Sequence, residues 1–486
     1  MFFLLLAVFV WTGCASSDSS ETAVNETATI VSEVNAANTD SGDTASDETS
    51  ATTNTEDSNV PPDMGEGSPP DAGGADVDKT GAYEQDGGTV SESGQTYAAT
   101  ETDESAVYVY GGGSYTLSEA TLTKTGDTSG ENTSNFYGNN AIVLAEDEST
   151  ITLSNCSLTA DAAGSNGAFA YGEGSSIILD NCTISTSANS SRGVDATYGG
   201  SVTITNSEIQ TLGDHSAALA TDRYENNDPP TITADNVTAT TAGDGSPGIY
   251  STGTFNVSNS TTVATGSEAA AIEGFNSITL TDSEITGSAK WGVFIYQSMS
   301  GDSSVGVGTF DMTGGSLTNN SSGPVFMVLN TEAVINLQGV EISTEGDVLI
   351  RATDASDGDD NVNSDWGNAG GVITFTATDQ VLNGTVSINE LSSINMTLSG
   401  TSTFLGAVEI EEGGEVSITL EDSAVWTATS ESYVTSLNGI TFSGNTPTNV
   451  DAGSGVVIYY DSATDAVGNA LTGSYTLASG GTLVQN

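Results

Sequence analysis

The chain has 486 residues, and 65 acids against 6 Lys and Arg give it a formal net charge of −59. Such a surface repels nucleic acid, anionic headgroups and polyuronates, and it attracts divalent cations. With 57 glycines, 9 prolines, abundant Ser, Thr, Asn and Asp, and no long helix-favouring run beyond the N-terminus, the composition points to an all-β chain.

The apolar run of residues 1–13 ends in Trp11-Thr12-Gly13 and is followed by Cys14. An apolar segment closed by small residues ahead of Cys resembles a lipoprotein signal peptide, although Trp11 replaces the usual aliphatic residue and no basic residue precedes the run. The resemblance implies export and lipidation at Cys14. Ordinary secretion and a short membrane anchor are the alternatives; a spanning helix needs roughly 20 apolar residues. Residues 14–81 are acidic and Ser/Thr-rich, with too little apolar surface to offset chain entropy. They are expected to form a disordered stalk.

From residue 82 one pattern recurs. Ile278-Thr279-Leu280-Thr281-Asp282-Ser283-Glu284-Ile285 alternates apolar and polar residues, then gives Asp, a small residue, a free position and an apolar one. Close copies begin at Ile151, Ile177 and Val202, and a looser one at Tyr115. Alternation marks a strand with one buried face, and Asn or Asp before Ser or Cys marks a bend. A second apolar segment lies between copies, as in Gly167-Ala168-Phe169-Ala170-Tyr171 and Gly292-Val293-Phe294-Ile295. Units of about 23–26 residues over residues 82–351 thus carry two or three strands each. That is one coil of a parallel β-solenoid, whose apolar stripes are buried only by stacking. Shorter coils continue over residues 352–436. Over 437–486 the repeat fades and Val456-Val457-Ile458-Tyr459-Tyr460 supplies a different strand, as expected of a cap on exposed strand edges.

Stacking at roughly 4.8 Å aligns Asn155, Asn181, Asn206, Asn236, Asn259 and Asp282 as a ladder, expected to satisfy buried polar groups along the axis. Cys156 and Cys182 hold equivalent places in neighbouring coils, at a separation that a disulfide accepts; two small apolar residues in a stack is the other reading. On these repeats and Asn positions, residues 82–426 resemble the single-stranded right-handed parallel β-helix proteins of the pectin-lyase-like class, especially adhesin-like surface proteins. The resemblance specifies fold far better than activity.

Asp357, Asp359, Asn361, Asn363 and Asp365 alternate along one loop and offer oxygen ligands to calcium. Val362 stands where the helix-loop-helix calcium motif has Gly, and no closing Glu follows, so an acidic solvated loop is the competing reading. Lyases of the resembling class use a basic residue and calcium-bound carboxylates; the bases here, Lys79, Lys124, Arg192, Arg223, Lys290 and Arg351, fall in different units. Hydrolases on such solenoids draw paired acids from neighbouring coils, and Asp195 and Asp222 are candidates for one face. His215 beside Asp214 reads as a turn residue. Tyr108, Tyr110, Tyr171, Tyr198, Tyr250, Phe294 and Tyr296 recur in the second strands, either as an outward stacking platform or as core.

The sequence therefore predicts an exported, lipid-anchored, monomeric β-helix on a stalk, with calcium as the one candidate cofactor. It binds a surface glycan or protein partner, without catalytic residues and without nucleic acid, and touches the membrane only through its anchor. A polysaccharide hydrolase on the same scaffold and a surface-layer spacer are the alternatives.

Overall fold

The structure, a computed structural model, describes residues 79–222, 229–298, 303–355 and 366–486, all within one compact unit spanning residues 57–486. Cys14, most of the expected stalk, and Asp357, Asp359, Asn361, Asn363 and Asp365 lie outside the described residues. The chain is all-β, 55% strand and 2% helix, and its strands stack in parallel as a β-helix. The first coil sets the order, with Thr80–Asp86 in sheet A, Thr89–Ser93 in sheet B and Thr96–Ala99 in sheet C. Among the described residues sheet A reaches 13 strands and sheet C 10.

Register turns the sequence pattern into interior columns. On sheet B, Ile151, Ile177, Val202, Ile232, Phe255, Ile278 and Phe310 pair in succession. Leu153, Leu179, Ile204, Ala234, Val257 and Leu280 form the neighbouring column. All of them are buried in one continuous core, and burying each large side chain is worth about 1.5–3 kcal/mol. Ile178 falls between the two columns, points outward and is 40% exposed. Alternation, not hydrophobicity, decides its face.

The bend from sheet B to sheet C is made by one residue in the left-handed region. Asn155, Asn181 and Asn206 have φ of 53°, Asn236 56°, Asn259 49° and Asp282 47°. Asn and Asp tolerate this conformation far better than other residues with a Cβ. Their side chains do bond along the axis. Asn181 Nδ2 donates to Asn155 Oδ1 at 2.6 Å and Asn236 Nδ2 to Asn206 Oδ1 at 2.9 Å. Asn206 and Asn259 instead donate to Asp180 and Asp235, each at 2.7 Å. This ladder is exposed, which corrects the expectation that it satisfies buried groups. The buried ladder is the next residue. Cys182 N donates to Ser207 Oγ at 2.9 Å, Val237 N to Ser260 Oγ at 3.0 Å and Ser260 N to Ser283 Oγ at 3.2 Å.

Exposed hydrogen bonds contribute little, whereas a residue forced into the left-handed region costs roughly 1–2 kcal/mol. Asn206→Ala is therefore expected to destabilise by about 1–2 kcal/mol, and Asn206→Gly by only a few tenths in urea melts. A Gly variant as damaging as the Ala variant would assign the effect to the side-chain ladder.

The two ends are closed differently. At the first coil, Glu92 takes an interior place opposite Leu117 and accepts from Tyr97 Oη at 2.6 Å and Tyr115 Oη at 2.8 Å. Tyr83 stacks on Tyr115 with centroids 4.4 Å apart. An inward-pointing carboxylate ringed by phenols blunts an edge that aliphatic residues would leave sticky. Beyond Glu341–Thr344 sheet C gives way to a four-stranded sheet that begins at Val381–Asn383, where the coils shorten. Sheet B runs on through Ser432–Ile440 and Val457–Asp465, both parallel. The strand that looked different in sequence thus continues the solenoid. The antiparallel pair Ser474–Thr476 and Thr482–Gln485 then closes it.

Candidate functional site

Sheet A reads as unbroken apolar runs because both of its faces are covered. Val194–Thr197, Ala270–Glu273, Val293–Tyr296 and Phe326–Leu329 are buried at every position. One face lines the solenoid interior. On the other, register stacks Tyr108, Leu144, Phe169, Asp195, Ala220, Tyr250, Ala271, Phe294 and Met327 in one outward column. Tyr250, Phe294, Tyr296 and Met327 form a second apolar cluster with Trp291, Ala355 and Trp366, outside the solenoid interior. Phe294 and Tyr296 stack with centroids 4.2 Å apart, and Tyr296 lies 5.4 Å from Trp366. These aromatics are therefore outward-facing and buried at once, a combination that strand alternation alone does not express.

Arg192 holds the polar centre of this face. Its Nε lies 2.7 Å from Asp222 Oδ2 and 3.5 Å from Asp195 Oδ2, and Nη1 donates to Asn135 Oδ1 at 2.7 Å. All four residues are buried. Asn135 belongs to the short helix Glu131–Tyr137, which covers the site: Thr197 Oγ1 donates to the Phe136 carbonyl at 3.0 Å and Asn166 Nδ2 to the Ser134 carbonyl at 3.3 Å. The two acids named from sequence do come together, from adjacent coils. Arg192, counted there as one scattered base, is what joins them. A guanidinium cannot give up its proton in a protein, so both carboxylates face a permanent positive charge. That is a poor setting for a general acid.

Glu273, two coils beyond Asp222, has the opposite character. It accepts from Tyr296 Oη at 3.2 Å, Tyr250 Oη at 3.3 Å and the Ser298 backbone N–H at 3.4 Å, with a further bond from Ser298 Oγ. Burial pushes its carboxyl up, against those hydrogen bonds. Glu268 is likewise pushed up by burial. The sequence reading missed both glutamates: Glu273 follows Ala-Ala-Ile and reads as an outward residue in solvent, and Glu268 lies in the bend before that strand, where side chains have no period to read. The legible signal was that the neighbouring outward positions are apolar.

Toward the first coils the cover thins, and Tyr110, Tyr171 and Tyr198 are half-buried. Tyr137 packs edge-on against Tyr171 at 5.7 Å and stacks on Tyr198 at 5.9 Å. Lys79 Nζ sits 4.3 Å from the Tyr171 ring centroid and pairs with Glu146, which also accepts from Tyr108 Oη. Burial pushes the Tyr171 phenol up to about 12, and burial also lowers the Lys79 ammonium despite Glu146.

Cys156 and Cys182 stack in adjacent coils as buried free thiols, so the disulfide reading is not realised in this structure. Their Sγ atoms lie 3.3 Å and 3.4 Å from the Ser154 and Asp180 carbonyls. His215 sits in a turn at φ 53°, and Asp214 Oδ1 accepts from the Asp244 backbone N–H at 2.9 Å. Among the described residues no three His, Cys, Asp or Glu side chains gather as a metal site. No protein-family model matches the chain, and no curated protein matches its sequence.

Proposed function

We propose that the protein is an exported, lipid-anchored cell-surface β-helix, of the pectin-lyase-like, adhesin-like kind, that binds a glycan without cleaving it. The observation that carries this reading is the half-buried tyrosine group Tyr110, Tyr171 and Tyr198, where the cover over the outer face of sheet A thins. Aromatic faces stack on sugar rings, and the surrounding carboxylates accept hydrogen bonds from sugar hydroxyls. The apolar run before Cys14 supports export and anchoring, and the acidic segment that follows supports a stalk. Calcium enters through the loop around Asp357.

A polysaccharide hydrolase is the second reading, favoured by the meeting of Asp195 and Asp222 on one face. Their burial against a fixed cation weighs against it. The test is a glycan array with the full chain, with and without calcium, alongside release of reducing sugar from each ligand found. Tyr171→Ala and Tyr198→Ala are expected to weaken binding at least tenfold, the loss of about 1.4 kcal/mol or more of stacking, with unchanged melting. Binding that ignores both variants sinks the tyrosine reading. Sugar release abolished by Asp195→Asn or Asp222→Asn in a folded variant would establish the hydrolase instead.

A further inference from the structure

We propose that the tyrosine group takes an amino sugar, whose ammonium displaces Lys79 from its place over Tyr171 and beside Glu146. This rests on the glycan reading given above and names the chemical class of the sugar.

The chain supplies its own example of the contact. Lys79 Nζ sits 4.3 Å from the Tyr171 ring centroid and pairs with Glu146. A cation over a ring face is drawn by the ring quadrupole, and the attraction grows as water is removed. Tyr171 lies edge-on to Tyr198 at 5.5 Å and to Tyr137 at 5.7 Å, while Tyr137 and Tyr198 stack on each other at 5.9 Å. The group therefore offers ring faces in two nearly perpendicular directions. One direction suits a sugar ring and the other suits the ammonium that the ring carries.

Lys79 is an occupant that can be exchanged. Burial works against its charge despite Glu146, and it lies directly before the first strand, Thr80–Asp86. Replacing one ammonium by another keeps Glu146 paired, so no carboxylate is stranded. An amino sugar adds ring stacking that Lys79 lacks.

The turn from sheet A to sheet B shapes the surroundings. By register, Asp147 and Tyr198 take the position that Gly87, Gly111 and Gly172 hold in other coils. All have positive φ, 53° at Asp147 and 51° at Tyr198. Glycine enters that region freely, whereas a residue with a Cβ is disfavoured there. The two exceptions are the two that reach Tyr171: the Tyr198 ring packs on it, and the exposed Asp147 carboxylate acts on both Tyr171 and Lys79. Backbone strain of this kind gathers where ligands are held.

The net charge of −59 favours the same class of ligand. Such a field concentrates cations at the surface and speeds their arrival. It repels a uronic or sulfated sugar and gives a neutral one no advantage.

The experiment is calorimetric titration of the full chain with a short glucosamine oligomer, its N-acetylated counterpart and oligolysine. The amine form should bind about tenfold more tightly than the acetylated form. Its affinity should fall as salt rises from about 0.01 M to 0.15 M. Lys79→Met should tighten binding about tenfold, because the ligand no longer expels a tethered competitor. Glu146→Gln should weaken it about tenfold, as expected for losing a charge-assisted hydrogen bond. Asp147→Asn should weaken it too, at an exposed position whose left-handed backbone Asn accepts, so the charge is tested even where the Glu146 variant folds poorly. Weaker binding after Lys79→Met, or indifference to both acid variants in melt-verified protein, would overturn the proposal. Equal affinity for the acetylated oligomer would overturn it and leave the tyrosine platform standing as a neutral-sugar site. Binding of neither oligomer would remove the platform as well. Oligolysine bound more tightly than the amino sugar would assign the place to a basic peptide instead.

Discussion

Replacing Arg192 with Met is expected to cost about 3–5 kcal/mol of stability, the usual penalty for removing one partner from a buried ion pair. Arg192 faces two buried carboxylates, Asp222 at 2.7 Å and Asp195 at 3.5 Å, and Met fills a similar volume without a charge. Both acids would then have to keep a charge in a dry site without the guanidinium, or take up a proton. Protonation would remove the stranded charges, so the variant is expected to lose less stability in acid than at neutral pH. Adding Asp195→Asn and Asp222→Asn should restore most of the loss at neutral pH, because neutral isosteres remove the stranded charges. The helix Glu131–Tyr137 is too short to hold itself and is fastened partly through Asn135 to Arg192. Early proteolysis near Tyr137 should therefore accompany the loss. Urea melts at two pH values measure the first effect; a change under about 1 kcal/mol would mean that other contacts already carry both carboxylates.

This cluster also shows how far the sequence could be read. Sheets B and C follow from alternation and from Asn or Asp at the bend, because one face of each is wet; the period-two signal survives there. Sheet A carries no such signal. Its outer face is covered by the helix over Thr197 and by a second apolar cluster holding Trp291 and Trp366, so inward and outward positions are equally apolar. The short segments Gly193-Val194-Asp195-Ala196 and Ala217-Ala218-Leu219-Ala220 were visible as strands, but their direction of facing was not. Asp195 and Asp222 were legible as a possible pair on neighbouring coils, since the repeat sets that register. Arg192 as their bridge was not. It sits in the turn before its strand, and turn side chains have no period to read.

Phe310→Ala tests the columns themselves, with an expected cost of about 3–5 kcal/mol. Phe310 is fully buried, pairs with Ile278 on one side and Ile335 on the other, and meets Phe326 edge-on at 5.8 Å. Phe326 in turn meets Phe375 at 6.2 Å, so one ring deletion loosens a chain of aromatic contacts across sheets A and B. In a solenoid each coil touches only its neighbours, and stability is close to a sum of coil and interface contributions. The loss should therefore be local. Hydrogen exchange should quicken in Ser277–Thr281, Val307–Thr313 and Glu332–Gln338, while Thr150–Ser154 and Ser176–Asp180 keep their protection. A compact domain with one indivisible core would respond otherwise, with exchange rising everywhere by the same free energy. That uniform response would contradict the nearest-neighbour stacking on which the proposed tyrosine surface depends, since it is assembled from side chains that only the register of successive coils brings together.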